Sequence, residues 1–493
     1  MKKNRRTFIK QSAMGAAGFH IVPSHVISGL GHVAPSDKLN IAGVGIGGKG
    51  RPNLRAMKTE NIVALCDVDW NYSQPVFNEF PKAKRYYDWR EMMDEMGREI
   101  DGVMVATPDH THAGIVAQAM IMGKHVYCQK PLTHSIYESR LLTQLAAKFP
   151  VATQMGNQGN SGIDVREVCE WIWNGEIGEV REVHAWTDRP IWPQGQERPA
   201  QEMPIPENFN WDLFLGPAPF RPYYTTYTPW NWRGWWDFGT GAFGDMACHV
   251  LDPVYAALKL RYPTQIEGNS SPMNTESAPQ SEQVKFHFPE REAMEKFALP
   301  AVDVYWYDGG LLPYRPDLLP EGIDMMADGL GGCIFVGSKD TLYCGSGGVG
   351  KRLLSGREPK VPALLRRIPE AMGYKDGPHE QDWIRACKES PDTRVDSSSN
   401  FAYAGPFNEM VLLGVLAIRL QSLHKTLNWD GENMQFTNIG SNDSLRVIQS
   451  DEFTIRNGRP SFDKKYAEMN AREMVEEYIR HTYRKGWDLP PMG

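Results

Sequence analysis

An aspartate and a histidine separated by three residues form a group that could transfer protons. Asp245 and His249 follow a glycine-rich stretch at residues 239–244, and on a helix this spacing places both side chains on one face. An imidazole titrates near neutral pH, so His249 could accept a hydroxyl proton while Asp245 binds the substrate or tunes the imidazole. The same spacing also occurs in ordinary surface pairs on helices. Asp252 is a candidate helper.

A glycine-rich turn near the start of the chain indicates a dinucleotide site. Gly43, Gly45 and Gly48 fit the spacing G-x-G-x-x-G between an apolar run and a predicted helix. Such glycines permit a tight turn, close approach to a pyrophosphate and close helix packing, and the helix N-terminus faces the phosphates. A second apolar run at residues 62–66 leads into Asp67. A carboxylate there binds the ribose 2′-hydroxyl and favours NAD over NADP.

Two nearby features leave alternatives open at this nucleotide site. Lys49 and Arg51 lie close enough in sequence to keep NADP as the alternative nucleotide. Asp69 is a second acid after the same apolar run, and it is the weaker candidate for the ribose.

Further apolar runs predict the rest of a parallel sheet. Runs at residues 101–106 and 125–128 flank a segment with helical spacing, which is typical of a sheet whose ligand binds at the carboxyl ends of the strands. The loop after the first run would therefore cover the cofactor, through Thr107, Pro108, His110 and His112. The two histidines could also suggest a metal pair, but no third ligand lies nearby, so we predict no metal site.

The tripeptide that follows residue 128 resembles a known signature. Lys130 and Pro131 match the Glu-Lys-Pro signature of the Gfo/Idh/MocA family of oxidoreductases, and residues 239–252 resemble its glycine-rich segment followed by Asp-x-x-x-His. The resemblance implies that Lys130 reaches nicotinamide and substrate oxygen, and that Asp245 and His249 are catalytic. An ammonium beside a developing alkoxide stabilises the charge that hydride transfer creates. Gln129 replaces the family's acid and removes a neighbour that would hold Lys130 charged.

The resemblance also implies a two-domain α/β architecture. We expect a signal and linker at residues 1–37, a Rossmann domain at 38–155, an α+β domain with an open, largely antiparallel sheet at 156–440, and an extension at 441–493. The sheet would carry homo-oligomer contacts. Polar and aromatic residues near the predicted cleft are weaker candidates for substrate binding: Asn157, Gln158, Trp230, Trp232, Arg233 and Trp236.

Two later segments are assigned no catalytic role. The apolar stretch at 406–424 is interpreted as a core helix. The glycine-rich stretch at 345–352 is interpreted as a flexible loop, because Arg352 stands where a phosphate loop needs Ser or Thr.

The first residues resemble a twin-arginine export signal. Arg5 and Arg6 are followed by Phe8, Lys10 and a weakly apolar stretch at residues 12–23. The alternative is a basic tail on a cytoplasmic protein. The stretch is too short to span a bilayer, and no cysteine precedes Cys66, so no stable membrane anchor is expected. A folded protein in the periplasm would have to keep its NAD tightly bound, because the periplasm has no soluble nicotinamide pool.

The overall composition narrows the class of protein. The chain has 493 residues, a length that favours two packed domains over one. Its net charge of −7 gives no basic face for nucleic acid. Its 7 cysteines are scattered without a C-x-x-C pair, which argues against a disulfide framework or a structural zinc site.

We therefore predict an NAD-dependent oxidoreductase that moves a hydride to or from a carbinol carbon of a sugar or glycoside. One alternative is an NAD-recycling glycosidase, which oxidises a sugar, eliminates its substituent and reduces it again. A second alternative is a non-catalytic sugar-binding or NAD-binding protein. The Lys130-Pro131 pair resembles the dehydrogenase members more than the glycosidases.

Overall fold

The computed structural model describes residues 37–294, 297–326, 330–368 and 377–491. The predicted export signal lies outside these residues.

The N-terminal domain alternates strands and helices along the chain. Its strands are β1 (Asn40–Val44), β2 (Asn61–Cys66), β3 (Lys84–Tyr86), β4 (Gly102–Val105), β5 (His125–Cys128) and β6 (Thr153–Met155). Its helices are α1 (Gly50–Ala56), α2 (Trp70–Glu79), α3 (Trp89–Met96), α4 (His112–Ile121) and α5 (Ile136–Lys148). Side-chain caps begin several of these helices; at α5, Ser135 and Glu138 form a capping box.

The six strands form one parallel sheet in the order β3-β2-β1-β4-β5-β6. Val44 at the end of β1 lies opposite Cys66 of β2 and Val105 of β4, so the carboxyl ends of these strands meet at one edge. The strand order reverses beside β1, which is where ligands bind in open α/β sheets. The structure confirms the predicted Rossmann domain and places its binding edge after Val44, Cys66 and Val105.

The second domain is built on a mixed sheet. Its strands are β7 (Val180–Trp186), β8 (Gln265–Ser270), β9 (Glu282–Phe288), β10 (Arg291–Met294), β11 (Phe297–Leu299), β12 (Val302–Tyr307), β13 (Gly332–Gly337), β14 (Thr341–Gly345), β15 (Arg352–Leu353), β16 (Leu427–Asp430) and β17 (Gln435–Phe436). Nine of them pair in the order β15-β14-β13-β7-β12-β9-β8-β16-β17, while β10 and β11 pair separately. Strands β7 and β12 are parallel, and the other pairs are antiparallel. This confirms the expected open, largely antiparallel sheet.

The helices of this part of the chain are α6 (Ile163–Trp173), α7 (Trp211–Leu215), α8 (Gly241–Val250), α9 (Asp252–Ala257), α10 (Pro378–Lys388) and α11 (Phe401–Arg419). Of these, α11 packs on one face of the sheet against β8 and β9. Strands β9 and β12 alternate buried and half-buried residues, the pattern of a sheet with one covered face. Helix α11 is long and apolar enough to cross a membrane, but 83% of its apolar window is buried inside the protein. It begins at Phe401, earlier than the predicted core helix, and packs against α5, α8 and β8.

The chain returns to the N-terminal domain after the sheet is built. Helix α10 packs against α1 and β5, and its Trp383 joins the apolar cluster that contains Ile41 and Met104. The final elements are a two-stranded ribbon of β18 (Ser444–Arg456) and β19 (Arg459–Asn470), followed by α12 (Ala471–Arg480). Residues beyond 377 therefore help to build the N-terminal domain.

Candidate active site

The turn between β1 and α1 depends on three glycines. Gly45 has a φ of +74°, and a Cβ there would lie 2.5 Å from the backbone nitrogen of Thr107. A Cβ on Gly47 would lie 2.3 Å from the ring of Tyr72, and one on Gly50 would lie 2.2 Å from the carbonyl oxygen of Gly45. These three positions have the spacing G-x-G-x-x-G, and none can carry a side chain without displacing its neighbours.

The predicted register of this motif was therefore wrong by two residues. Gly43 lies within β1, where a Cβ would meet only the side chains of Ile46 and Leu54. At Gly48 the nearest atom would be 3.6 Å away. The strand continues to Val44, so the tight turn begins at Gly45.

Asp67 follows β2 and binds this turn. Its Oδ2 accepts hydrogen bonds from the backbone nitrogens of Ile46 (2.8 Å) and Gly47 (3.1 Å). Burial raises the pKa of Asp67, and these bonds oppose the rise. Asp69 instead caps α2, where it accepts from the backbone nitrogen of Tyr72 at 3.0 Å. Asp67 therefore lies directly after β2 against the glycine turn, while Asp69, which also lines the cavity, caps α2.

A cavity of about 650 Å³ extends from the glycine turn into the second domain. Gly45, Gly47, Gly48 and Asp67 line one part, and Lys130, Asp245 and His249 line another. A turn without side chains, next to a buried acid at the carboxyl edge of a parallel sheet, fits a dinucleotide. The three predicted catalytic side chains thus lie on the wall of the same cavity as the cofactor-binding turn.

Lys130 and Asp245 form an ion pair across the two domains. The ammonium of Lys130, which follows β5, binds the Asp245 carboxylate on α8 and lies 3.3 Å from its backbone oxygen. Asp245 Oδ1 also lies 3.2 Å from Nε of Arg233. Burial alone would raise the pKa of Asp245, but the two cations lower it to about 2. Asp245 is therefore a carboxylate that holds Lys130 in place.

His249 lies one helical turn beyond Asp245 and presents an imidazole to the cavity. Burial, followed by the charge of Lys130, lowers the pKa of His249 to about 3. Its ring nitrogens have no hydrogen-bond partner in the described part of the chain. The ring is therefore neutral at physiological pH and free to accept a proton from a bound hydroxyl.

The loop after β4 divides into cavity residues and buried histidines. Thr107 and Pro108 line the cavity, but His110 and His112 are buried away from it. The ring nitrogens of His110 lie 3.3 and 3.0 Å from the carbonyl oxygens of Phe238 and Phe214. The predicted contact of both histidines with the cofactor is thus corrected.

His112 has a positioning role instead. Its ring nitrogens lie 3.0 Å from the carbonyl oxygen of Pro131 and 2.9 Å from that of Thr107. The ring therefore connects the loop that contains Thr107 to the loop that contains Lys130.

The predicted substrate residues also divide. Gln158, Trp230, Trp232 and Arg233 line the cavity. Arg233, however, binds Asp109 (2.5 Å) as well as Asp245, so its guanidinium is already occupied by two acids.

Three candidates do not line this cavity. Asn157 is buried, and its Nδ2 donates to Asp252 at 3.2 Å. Asp252 is itself buried, and burial raises its pKa to about 6. Trp236 is buried beneath Arg419. The assignment of Asn157 and Trp236 to the substrate cleft, and of Asp252 as a helper, is corrected by this burial.

Other cavity residues had been given no role or a different one. Lys49 and Gln129 both line the cavity, whereas the sequence suggests for Lys49 only the NADP alternative and for Gln129 only a departure from the family signature. Arg189, Ile191 and Trp192 come from a proline-rich segment, and Trp487 comes from the C-terminal extension. Ser346 and Gly347 belong to the glycine-rich stretch at 345–352, for which the sequence predicts only a flexible loop. The residues around these positions match no binding motif in the sequence. These side chains reach the cavity only through tertiary packing.

Two further observations limit the chemistry of the described residues. All 7 cysteines are buried, and none of them forms a disulfide with another described cysteine. Within the described ranges, no group of three or more His, Cys, Asp or Glu side chains could hold a metal ion.

Comparison with known proteins identifies both domains. Residues 39–157 match the model described as oxidoreductase family, NAD-binding Rossmann fold, and residues 173–291 match its C-terminal alpha/beta domain.

Curated relatives match at low identity. Inositol 2-dehydrogenase of Salmonella typhimurium is 24% identical over 147 residues, which are 29% of this chain and 43% of the relative. A glycosyl hydrolase family 109 protein of Shewanella pealeana is 26% identical over 208 residues, which are 36% of this chain and 45% of the relative. The chain thus spans less than half the length of these relatives.

Solved structures share the fold. The WlbA dehydrogenase of Bordetella pertussis, in complex with NADH and UDP-GlcNAcA, has a TM-score of 0.53 and 15% identity over 80% of this chain and 99% of that one.

Proposed function

We propose that this chain, whose residues 39–157 and 173–291 match the two domain models of the Gfo/Idh/MocA oxidoreductase family, moves a hydride to or from a carbinol carbon of a sugar or glycoside. The observation that carries the proposal is the convergence of Lys130, Asp245 and His249 on the cavity that contains the glycine turn. The match to a relative named inositol 2-dehydrogenase supports a polyhydroxy substrate.

The side chains divide the work of this reaction. Bound NAD would supply or accept the hydride. His249, neutral and without a partner among the described residues, accepts the proton of the substrate hydroxyl. The Lys130 ammonium stabilises the negative charge that develops on the same oxygen. Asp245 fixes the position of that ammonium through their ion pair.

The cofactor side of the cavity supports NAD as the nucleotide. Asp67 holds the turn through two backbone nitrogens, and its carboxylate would accept from a ribose hydroxyl and repel a 2′-phosphate. Export by the twin-arginine route would require NAD to remain tightly bound. The periplasmic location is proposed from Arg5, Arg6 and the apolar stretch after them.

The test begins with protein purified from its native export route. After denaturation, mass spectrometry of the released nucleotide should identify NAD. A panel of sugars and polyols is then assayed for keto products and for a change in nicotinamide absorbance. NADP in the purified protein would contradict the role of Asp67, and a panel without turnover would contradict the dehydrogenase.

A second candidate is a glycosidase that recycles its NAD. The match to a glycosyl hydrolase family 109 protein favours it, and so does the proposed export away from a nicotinamide pool. A glycosidase would release the sugar's substituent without net NADH, so aryl glycosides in the same panel separate the two reactions.

We also propose that the protein is a homo-oligomer formed through the open face of the nine-stranded sheet. The half-buried residues that alternate along β9 and β12 support this, because they lie opposite the face covered by α11. Light scattering coupled to size-exclusion chromatography gives the mass that tests it.

A further inference from the structure

A buried glutamate on α10 lies behind the cavity wall. Glu380 is 4% exposed and comes from the part of the chain that packs back onto α1 and β5. Its Oε1 accepts hydrogen bonds from Nδ2 of Asn53 (2.6 Å) and from the hydroxyl of Tyr127 (3.0 Å). Asn53 lies on α1 and Tyr127 on β5, so one carboxylate connects the cofactor-binding helix to the strand before Lys130.

Each of these two donors is bonded in turn to a glutamine of the cavity. Nε2 of Gln129 donates to Oδ1 of Asn53 at 2.9 Å. Nε2 of Gln158 donates to the oxygen of Tyr127 at 3.1 Å. Both glutamines line the cavity. Two hydrogen-bonded arms therefore run from Glu380 to the cavity, one through Asn53 to Gln129 and one through Tyr127 to Gln158.

The carboxylate determines the direction of every bond in both arms. A carboxylate only accepts, so Tyr127 must donate its proton to Glu380 and Asn53 must turn its amide nitrogen toward Glu380. Burial and the charge of Glu380 raise the pKa of Tyr127 well above its usual value, so the phenol keeps its proton. The Asn53 oxygen and the Tyr127 oxygen are then acceptors, and each glutamine must use its nitrogen to reach them.

The oxygen of each glutamine is consequently left for the cavity. Neither Oε1 has another hydrogen-bond partner in the described ranges of the chain. A neutral amide could otherwise present either its nitrogen or its oxygen, because the two ends have nearly the same shape.

We propose that Glu380 is a positioning residue that fixes the amides of Gln129 and Gln158, so that the cavity presents two carbonyl oxygens and selects ligand groups that donate hydrogen bonds. Such groups are the hydroxyls of a sugar. The inference rests on the proposed function only for the substrate assay. The family signature has an acid at position 129, where this chain has Gln129. Here the carboxylate of Glu380 on α10 is connected to Gln129 through Asn53.

Neutron diffraction from crystals of the full protein tests the orientation directly, since it distinguishes nitrogen with its deuterons from oxygen. In the wild type, Oε1 of both glutamines should face the cavity. Nε2 facing the cavity at either position would overturn the inference. This result does not depend on turnover, so it stands apart from the failure or success of the proposed function.

The variant Glu380→Gln keeps the shape and adds a donor. We expect at least one arm to reverse, so that Nε2 of Gln129 or Gln158 faces the cavity; retention of both wild-type orientations would overturn the inference. Tyr127→Phe releases the Gln158 arm and also removes the longer bond (3.3 Å) that Nδ2 of Asn53 donates to the Tyr127 hydroxyl. Asn53 keeps its 2.6 Å bond to Glu380, so Gln129 should stay as it is, which keeps the test available if Glu380→Gln does not fold. Glu389→Gln, next to the other end of α10 and paired with Arg385, is the matched control.

The kinetic test uses the sugar found in the panel and its deoxyfluoro analogues, in which fluorine cannot donate. For Glu380→Gln, KM for the sugar should rise by roughly tenfold, the scale of one neutral hydrogen bond, with kcat changed much less. The preference for sugar over the fluoro analogue should fall by the same factor, while Glu389→Gln keeps it. An equal loss of kcat for sugar and analogue would indicate a merely structural role and overturn the inference.

Discussion

Arg233 is expected to be a structural cation of the active site. Its guanidinium binds Asp109, which is 0% exposed, and Asp245. Thr240 also donates to Asp109 at 2.9 Å. Arg233→Leu therefore leaves a buried carboxylate without its counter-ion, which costs about 3–5 kcal/mol when one partner of a buried pair is removed. Urea unfolding at neutral pH measures this loss as a change in the free energy of unfolding.

A double-mutant cycle separates this charge effect from lost packing. Asp109→Asn removes the charge but can keep the bond to Thr240, so it should cost less than Arg233→Leu. The loss of unfolding free energy in the double variant should be smaller than the sum of the two single-variant losses by about 1–3 kcal/mol. The reason is that the double variant leaves no unpaired charge at this pair. Losses that add to within about 0.5 kcal/mol would refute the reasoning, since independent sites add to that precision.

The remaining variants examine the cofactor turn and the catalytic groups. Gly50→Ala should abolish NAD binding in a fluorescence titration because its Cβ would meet the Gly45 carbonyl oxygen at 2.2 Å, whereas Gly114→Ala, which has no neighbouring atom within 4 Å, should bind normally. Asp67→Ser should narrow the preference for NAD over NADP by removing the charge that repels a 2′-phosphate; an unchanged ratio of dissociation constants would count against that role. Lys130→Ala and His249→Asn should each lower kcat by about 10²–10⁴, and near-normal turnover in either would contradict the proposed roles. His249→Asn should change the unfolding midpoint little, whereas Lys130→Ala should also lower it, because Asp245 then keeps only Arg233 as a counter-ion.

The sequence predicted the N-terminal fold well because the physical signals there are local. Apolar runs separated by turn residues gave the strands, and Asp67 was placed correctly by its position after β2. The glycine register failed because the sequence offers four glycines within six residues, from Gly43 to Gly48. Only the backbone contacts of Gly45 and Gly50 decide between the overlapping spacings.

The three proposed catalytic groups were predicted from the spacing of Asp245 and His249 on one helix and from the resemblance of Lys130 and Pro131 to the family signature, and the structure places all three on one cavity. Other residues of the cavity wall were not predicted, among them Arg189, Trp192, Ser346 and Trp487. They come from three separate segments of the chain that meet only after folding. The histidines after β4 failed for another reason: His110 points away from the strand edge and binds carbonyl oxygens at residues 214 and 238. Position after a strand predicts where the loop lies, but it does not predict the direction of each side chain.

The pH dependence of the reaction follows from the cations around His249. Its pKa is lowered to about 3 by burial and then by Lys130, and the charge of Lys49 lowers it further. A lowered histidine pKa keeps the base unprotonated to lower pH, so kcat/KM should show no loss near pH 6.5 and should stay level between about pH 8 and about pH 5. An acid limb centred near the ordinary histidine value would contradict this.

Removing one of these charges should move the acid limb in a known direction. Lys49→Met takes away a cation that disfavours the imidazolium, so the pKa of His249 should rise and the loss of kcat/KM should begin at a higher pH. Lys58→Met, an exposed lysine just after α1, is the control and should leave the profile unchanged. If both variants shift the profile equally, the effect reflects the net charge of the protein; a shift confined to Lys49→Met supports a neutral His249 as the proton acceptor.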